Sequence, residues 1–153
     1  MSPATVVRHC SVSDVESSPD LGGLLAEYGA ESGVPELGPP MAQMQTYRQL
    51  EAAGVFSVLG AFQGEKLVGF VTVLKATLPH FGRQVAITES LFVTSEARST
   101  GAGLALLHSA ESLAREQGAE ALLVSAPAGG RLERVLPGVG YRETGRVFFR
   151  ELM

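Results

Sequence analysis

The chain has 153 residues, 45% of them hydrophobic, with 18 glycines, 8 prolines and a formal net charge of −4. That length allows one domain with a substantial core, and residues 1–153 are read as a single domain. The composition excludes low-complexity and collagen-like classes, and the lack of a basic face argues against a nucleic-acid partner.

Other features narrow the class. No apolar run approaches the roughly 20 residues that span a bilayer, so no membrane partner is expected. Cys10 is the only cysteine, which leaves no intrachain disulfide and no cysteine cluster for zinc. His9, His80 and His108 are scattered without metal-ligand spacing, and no metal is expected. Met1 to Thr5 lack the basic and apolar regions of a secretion signal, so a cytoplasmic location is the expectation. Charge is unevenly placed: six acids and no lysine or arginine lie between Arg8 and Arg48. They form either a solvated helix face or an area that suits a cationic partner.

Thr5 to Cys10 reads as a first strand. Ser11 or Ser13 can cap the helix that follows, with Asp14 and Glu16 in its first turn. Pro19 interrupts that helix, which is firmer from Leu21 to Tyr28. Gly33 to Pro40 is rich in breakers and reads as a loop. A second helix spans Met41 to Ala53, closed by Gly54. Val55–Phe62 and Leu67–Leu74 are strands joined by a turn at Gln63 to Lys66. Ala76 to Gly82 connects to a third run, Gln84 to Val93, so the three make an antiparallel meander. Leu104 to Gln117 is helical, with Leu104, Leu107, Ala110, Leu113 and Ala114 on one side and His108, Ser112, Arg115 and Glu116 on the other. Ala121 to Ser125 is a short apolar strand, expected to pair parallel to its predecessor after the crossover helix. A short helix near Gly130 to Leu136 follows. Tyr141–Thr144 and Arg146–Leu152 are expected to close the chain as a hairpin around Gly145.

The most informative stretch runs from Val93 to Leu104, between a strand and the long helix. It holds Arg98, Ser99, Thr100, Gly101, Ala102 and Gly103. Free N–H groups in a first helical turn carry the positive end of the helix dipole and suit an anion. Glycines let backbone come within hydrogen-bond reach of phosphate oxygens, and Arg98 offers a charge-assisted contact. The string is neither a nucleotide P-loop, since no Gly-Lys-Ser/Thr follows, nor a dinucleotide fingerprint, since the third glycine is missing.

Arg98, Gly101 and Gly103, spaced R-x-x-G-x-G five residues after Val93, resemble the acetyl-CoA-binding motif of the GCN5-related N-acetyltransferase (GNAT) superfamily. The element order β-α-α-β-β-β-α-β-α-β-β resembles that family too, as do Gly140–Tyr141 and the aromatic run from Phe148. The resemblance implies an α/β (α+β) fold: a single GNAT domain whose mixed, mostly antiparallel sheet has about seven strands and four helices and splays between strands 4 and 5. It implies an N-acetyltransferase that moves acetyl from acetyl-CoA to a primary amine, with a homodimer among the expectations. Residues 98–104 would bind the CoA pyrophosphate. Leu91, Phe92 and Val93 would present backbone N–H groups to the thioester and pantetheine.

Glu89 is the candidate catalytic residue. Strand alternation puts it on one face with Leu91 and Val93, and a lone acid in an apolar strand is costly to bury without purpose. It resembles the acid that receives the amine, or takes its proton through water, in some aminoglycoside and polyamine acetyltransferases. Its other reading is a carboxylate that orders the sheet edge. Where many relatives carry an Asn and a general-acid Tyr, this chain has Gly129 and Leu136. That departure keeps open a CoA-binding module with little catalysis, acting through a protein partner. A peptide or protein acetyltransferase also remains open. Tyr28 and Tyr47 lie on the helices expected to cover the acceptor site and read as packing residues. His80 reads as a loop residue near the acceptor groove, Cys10 as a small buried residue, and Tyr141 as core.

Overall fold

The apolar runs between Val55 and Val93 become the middle of a sheet. In a computed structural model of the protein, residues 4–32 and 43–152 are described. Five strands lie side by side in chain order: β1 (Thr5–Cys10), β2 (Phe56–Gln63), β3 (Lys66–Leu78), β4 (Arg83–Val93) and β5 (Leu122–Val124). The first four pair antiparallel, and β5 pairs parallel to β4.

β2 and the first part of β3 are buried continuously rather than at alternate residues. Antiparallel sheets commonly leave one face in water, but here helices cover both. On one side lies α4 (Ala102–Glu116). Its Ala102, Leu106, Ala110 and Ala114 sit four residues apart and pack on Leu59, Val71, Val73, Ala86 and Val93. On the other side lie α1 (Val12–Glu16), α2 (Leu21–Ser32) and α3 (Met44–Ala52). Val15, Leu24, Tyr28 and Tyr47 from these helices pack on Phe56, Val58, Phe70 and Phe92. A fifth helix, α5, spans Arg131–Val135.

Local chemistry explains the boundaries. The first helix divides at Pro19, and α1 starts from a reciprocal capping box between Ser11 and Asp14. Two carboxylates tie helices to other elements: Asp20 accepts the Leu67 N–H at 3.0 Å, and Glu51 accepts the Val12 N–H at 2.9 Å. The expected loop Gly33–Pro40 and Met41, where the second helix was expected to start, lie outside the described residues. Leu104 differs from expectation. It is 42% exposed, because the buried stripe of α4 runs through Leu106 and Leu107.

The C-terminal end departs further. Residues 141–152 form no strand, so the described sheet has five strands rather than about seven. Val147, Phe148 and Leu152 are almost fully exposed. β5 is three residues long, so its free edge offers few backbone partners to offset the entropy of ordering a hairpin.

The β3–β4 ladder leaves no room at Gly69, which pairs with Val93. A Cβ there would sit 2.7 Å from the Phe92 carbonyl oxygen. Gly69→Ala is expected to cost about 2 kcal/mol and to lower the urea midpoint. Gly138→Ala, with nothing within 4 Å of its Cβ, should stay within about 0.5 kcal/mol of the parent.

Candidate active site

Glu89 sits on an irregularity in β4. Thr72 faces Ser90 and Val73 faces Thr88, so Glu89 is an extra residue without a partner on β3. Such a bulge re-aims a side chain. Leu91 and Val93 pack in the core beneath α4, whereas Glu89 turns to the other face. There Tyr47 Oη of α3 donates to Oε1 at 3.0 Å, and Thr72 Oγ1 donates to Oε2 at 2.9 Å. The expected shared face for Glu89, Leu91 and Val93 is therefore corrected by one inserted residue. Nor is Glu89 buried; it is exposed.

The same place marks the end of pairing between β4 and β5. Ala86, Ile87 and Thr88 face Leu122, Leu123 and Val124, and nothing on β5 pairs with residues 89–93. The edge of β4 from Glu89 to Val93 is thus open on the side where β5 departs, which corresponds to the splay expected between strands 4 and 5.

Tyr28 and Tyr47 flank the carboxylate. Tyr28 meets Phe92 and Phe70 edge-on, at centroid distances of 5.6 and 6.1 Å. Tyr47 stacks on Phe56 at 5.0 Å. Burial, and then the Glu89 charge, push Tyr28 upward, and the same causes push Tyr47 up to about 12. Both rings pack against the sheet, and Tyr47 also donates to Glu89. The bond from Tyr47 to Glu89 was not foreseen, since the two are 42 residues apart and belong to no common motif.

The loop beyond β4 is a tight 3₁₀ turn, Ser95–Thr100, that ends at Gly101 with φ +82°. That left-handed conformation favours glycine. α4 then starts without a side-chain cap, and its first backbone bond closes from the Ala105 N–H to the Gly101 carbonyl. The N–H groups of Ala102, Gly103 and Leu104 therefore have no acceptor within the helix. Ser99, Thr100 and Leu104 are exposed beside them.

Arg98 is engaged within the chain. Its Nε donates to the Val93 carbonyl at 3.0 Å and its Nη1 to Glu31 Oε1 at 2.8 Å, with Nη2 on the other Glu31 oxygen. Its guanidinium lies 5.3 Å from the centre of the Phe92 ring. One turn earlier on α2, Glu27 accepts the Thr94 hydroxyl at 2.8 Å and the Ser95 N–H at 3.1 Å. The Ser95 N–H holds the Glu27 carboxyl below the usual range, and Arg98 does the same for Glu31. Each depressed carboxyl supports its tie above the ordinary carboxylate range, and that support is lost as pH falls through its lowered value.

Several other residues are not brought to this place. His80 lies in the β3–β4 turn against Phe81, and His108 is on the exposed side of α4. Cys10 is buried, its thiol pushed up by burial. Leu136 is buried and Gly129 stands in a turn with φ +74°. Tyr141 donates its hydroxyl to Glu111 of α4 at 2.7 Å, and burial and that bond push it upward. Among the described residues, no cluster of three or more His, Cys, Asp or Glu is arranged to hold a metal ion, and no helix is long and apolar enough to cross a membrane.

β4 thus parts from its neighbour at a carboxylate-bearing bulge, then runs through a glycine turn into an uncapped helix. The acetyltransferase (GNAT) family profile matches residues 23–130, and the chain belongs to that family of acetyl-CoA-dependent N-acetyltransferases. No curated protein sequence matches the chain. The fold is similar to that of a ribosomal-protein-alanine N-acetyltransferase from Brucella melitensis biovar Abortus 2308, at 19% identity and TM-score 0.74, covering 98% of this chain and 100% of that one. It is similar to an aminoglycoside acetyltransferase from an uncultured soil metagenomic sample, at 19% identity and TM-score 0.76, covering 98% and 99%. A third similar structure, an aminoglycoside acetyltransferase from such a sample in complex with sisomicin, has 18% identity and TM-score 0.73 and covers 97% of each chain.

Glu31 competes with any anion for Arg98. Glu31→Gln is expected to tighten acetyl-CoA binding about three- to fivefold at low ionic strength, the scale of an exposed ion pair. Titration calorimetry at two salt concentrations checks this. An unchanged Kd would mean that Arg98 does not reach the ligand.

Proposed function

We propose that the protein, as one GNAT domain over residues 1–153, transfers acetyl from acetyl-CoA to a primary amine by direct attack, with a small cationic amine favoured. The observation that carries this reading is the exposed Glu89 carboxylate, fixed by two donors at the point where β4 and β5 part. An ammonium has no lone pair, so the acceptor must lose a proton before it attacks. Glu89 holds the ammonium and takes that proton, directly or through one water.

The donor side is assigned to the loop. Arg98, Ser99, Thr100, Gly101, Ala102, Gly103 and Leu104 hold the CoA pyrophosphate, chiefly through the N–H groups of the first turn of α4. The uncapped helix start supports this, as does Gly103, where a Cβ would make only an ordinary 3.7 Å contact with Val93. Nothing inside the protein demands glycine there, while a close backbone approach by a ligand does. Leu91, Phe92 and Val93 offer the open edge of β4 to the thioester and pantetheine. Acetyl-CoA supplies the activated acetyl group, and no metal is needed. The usual tyrosine acid is replaced by Leu136, and Tyr141 is committed to Glu111. A thiol with an ordinary pKa of roughly 8.5 leaves acceptably near neutral pH without a dedicated acid.

The preference for a cationic amine rests on Glu89 and on the fold shared with aminoglycoside acetyltransferases. The likeness to a ribosomal-protein-alanine acetyltransferase favours a peptide N-terminus as second reading. The replacement by Leu136 favours a CoA-binding module with little catalysis as third. A cytoplasmic protein with no nucleic-acid or membrane partner fits the charge and hydropathy. A homodimer is supported by the exposed Val147, Phe148 and Leu152.

Glu89→Gln keeps the shape and removes the base. It should lower kcat/KM about 100-fold and leave the Kd for acetyl-CoA near the parent value. Assay against polyamine, aminoglycoside and peptide panels separates the three acceptor classes. Parent-like kinetics for the variant would remove Glu89 from the chemistry.

A further inference from the structure

Each oxygen of Glu89 has one donor, and the two donors come from different layers. Tyr47 reaches down from α3, 3.0 Å from Oε1, while Thr72 stands on β3, 2.9 Å from Oε2. Thr72 is itself oriented. Its Oγ1 accepts the Ser90 N–H at 2.9 Å and lies 2.8 Å from Ser90 Oγ. With its single proton given to Glu89, Thr72 must accept from both Ser90 groups, so the chain Ser90 to Thr72 to Glu89 has one direction. Tyr47 is equally constrained, because its ring is stacked on Phe56. We infer that Tyr47 and Thr72 are positioning residues that hold the Glu89 carboxylate in one rotamer, with its remaining lone pairs turned to the acceptor amine. This inference rests on Glu89 being the base.

The bulge makes such support necessary. Glu89 is exposed and has no cross-strand partner, so an unsupported glutamate would sample several rotamers. Base catalysis needs the carboxylate within hydrogen-bond reach of one proton, and loose positioning is costly in rate. The titratable groups facing Glu89 among the described residues are Tyr47 from α3 and Tyr28 from α2. Tyr47, pushed up to about 12, keeps its proton throughout the neutral range and remains a donor.

The role differs from structural packing in what its loss would change. Tyr47→Phe keeps the stack on Phe56 and removes only the hydroxyl. Thr72→Val keeps the shape of a side chain that is 8% exposed. Each is expected to lower kcat/KM about tenfold, the scale of a hydrogen bond to a charged group. Thr72→Ser should recover most of what Thr72→Val loses.

A double-mutant cycle with Glu89→Gln provides the test, with melting temperatures measured for every variant. The expected result is that Tyr47→Phe and Thr72→Val cost about tenfold alone but less than about twofold on top of Glu89→Gln. Equal losses in both backgrounds, with no recovery by Thr72→Ser, would overturn the positioning role, as would parent-like kinetics for both single variants. A fully active Glu89→Gln enzyme would instead overturn the assignment of Glu89 as base, so the two failures are distinguishable.

Discussion

One inserted residue organises the site. β4 is held to β3 by a long antiparallel ladder and must keep that register on both sides of Glu89. The extra residue reverses which face the following side chains take. Upstream, Ala86 packs beneath α4. Downstream, Leu91 and Val93 return to that core while Phe92 joins Phe70 and Leu24 under α2. Between the two phases Glu89 is left aimed at α3. The same position ends the pairing with β5. A single irregularity thus places an oriented acid and an open backbone edge together.

The helices on the Glu89 side of the sheet are bound to this geometry by polar contacts as well as by packing. α2 reaches the loop after β4 through Glu27 and Glu31 and reaches the sheet through Tyr28, which lies against Phe92 and Phe70. α3 reaches Glu89 through Tyr47. The acidic stretch near the N-terminus is therefore only partly a solvated face. Glu27 and Glu31 tie α2 to the loop after β4 through Thr94, Ser95 and Arg98.

Much of this was legible in the sequence. Strand order through β5 followed from apolar runs and turn residues, because local propensity and burial agree there; the helices followed too, except that the division at Pro19 makes three before β2 where two were expected, five in all rather than four. The glycine loop was legible because Gly101 marks a left-handed turn directly. The bulge was not: Ile87 to Val93 reads as an uninterrupted strand, and an inserted residue shows only against its partner strand. Tyr47 was legible as packing but not as a donor to Glu89, since that contact depends on how α3 crosses the sheet. Leu104 misled because the stripe of α4 passes through Leu106 instead. The terminal hairpin misled because Val147, Phe148 and Phe149 have strand propensity, yet a three-residue β5 offers them little edge.

We propose that the loop from Arg98 to Leu104 and the open edge of β4 hold acetyl-CoA with its reacting end beside Glu89. A crystal structure of the protein with CoA is the direct test. Pyrophosphate density is expected on the N–H groups of Ala102, Gly103 and Leu104, with the pantetheine arm entering between β4 and β5 so that the thiol lies next to Glu89. Density for CoA elsewhere on the surface, or an arm that leads away from Glu89, would contradict it.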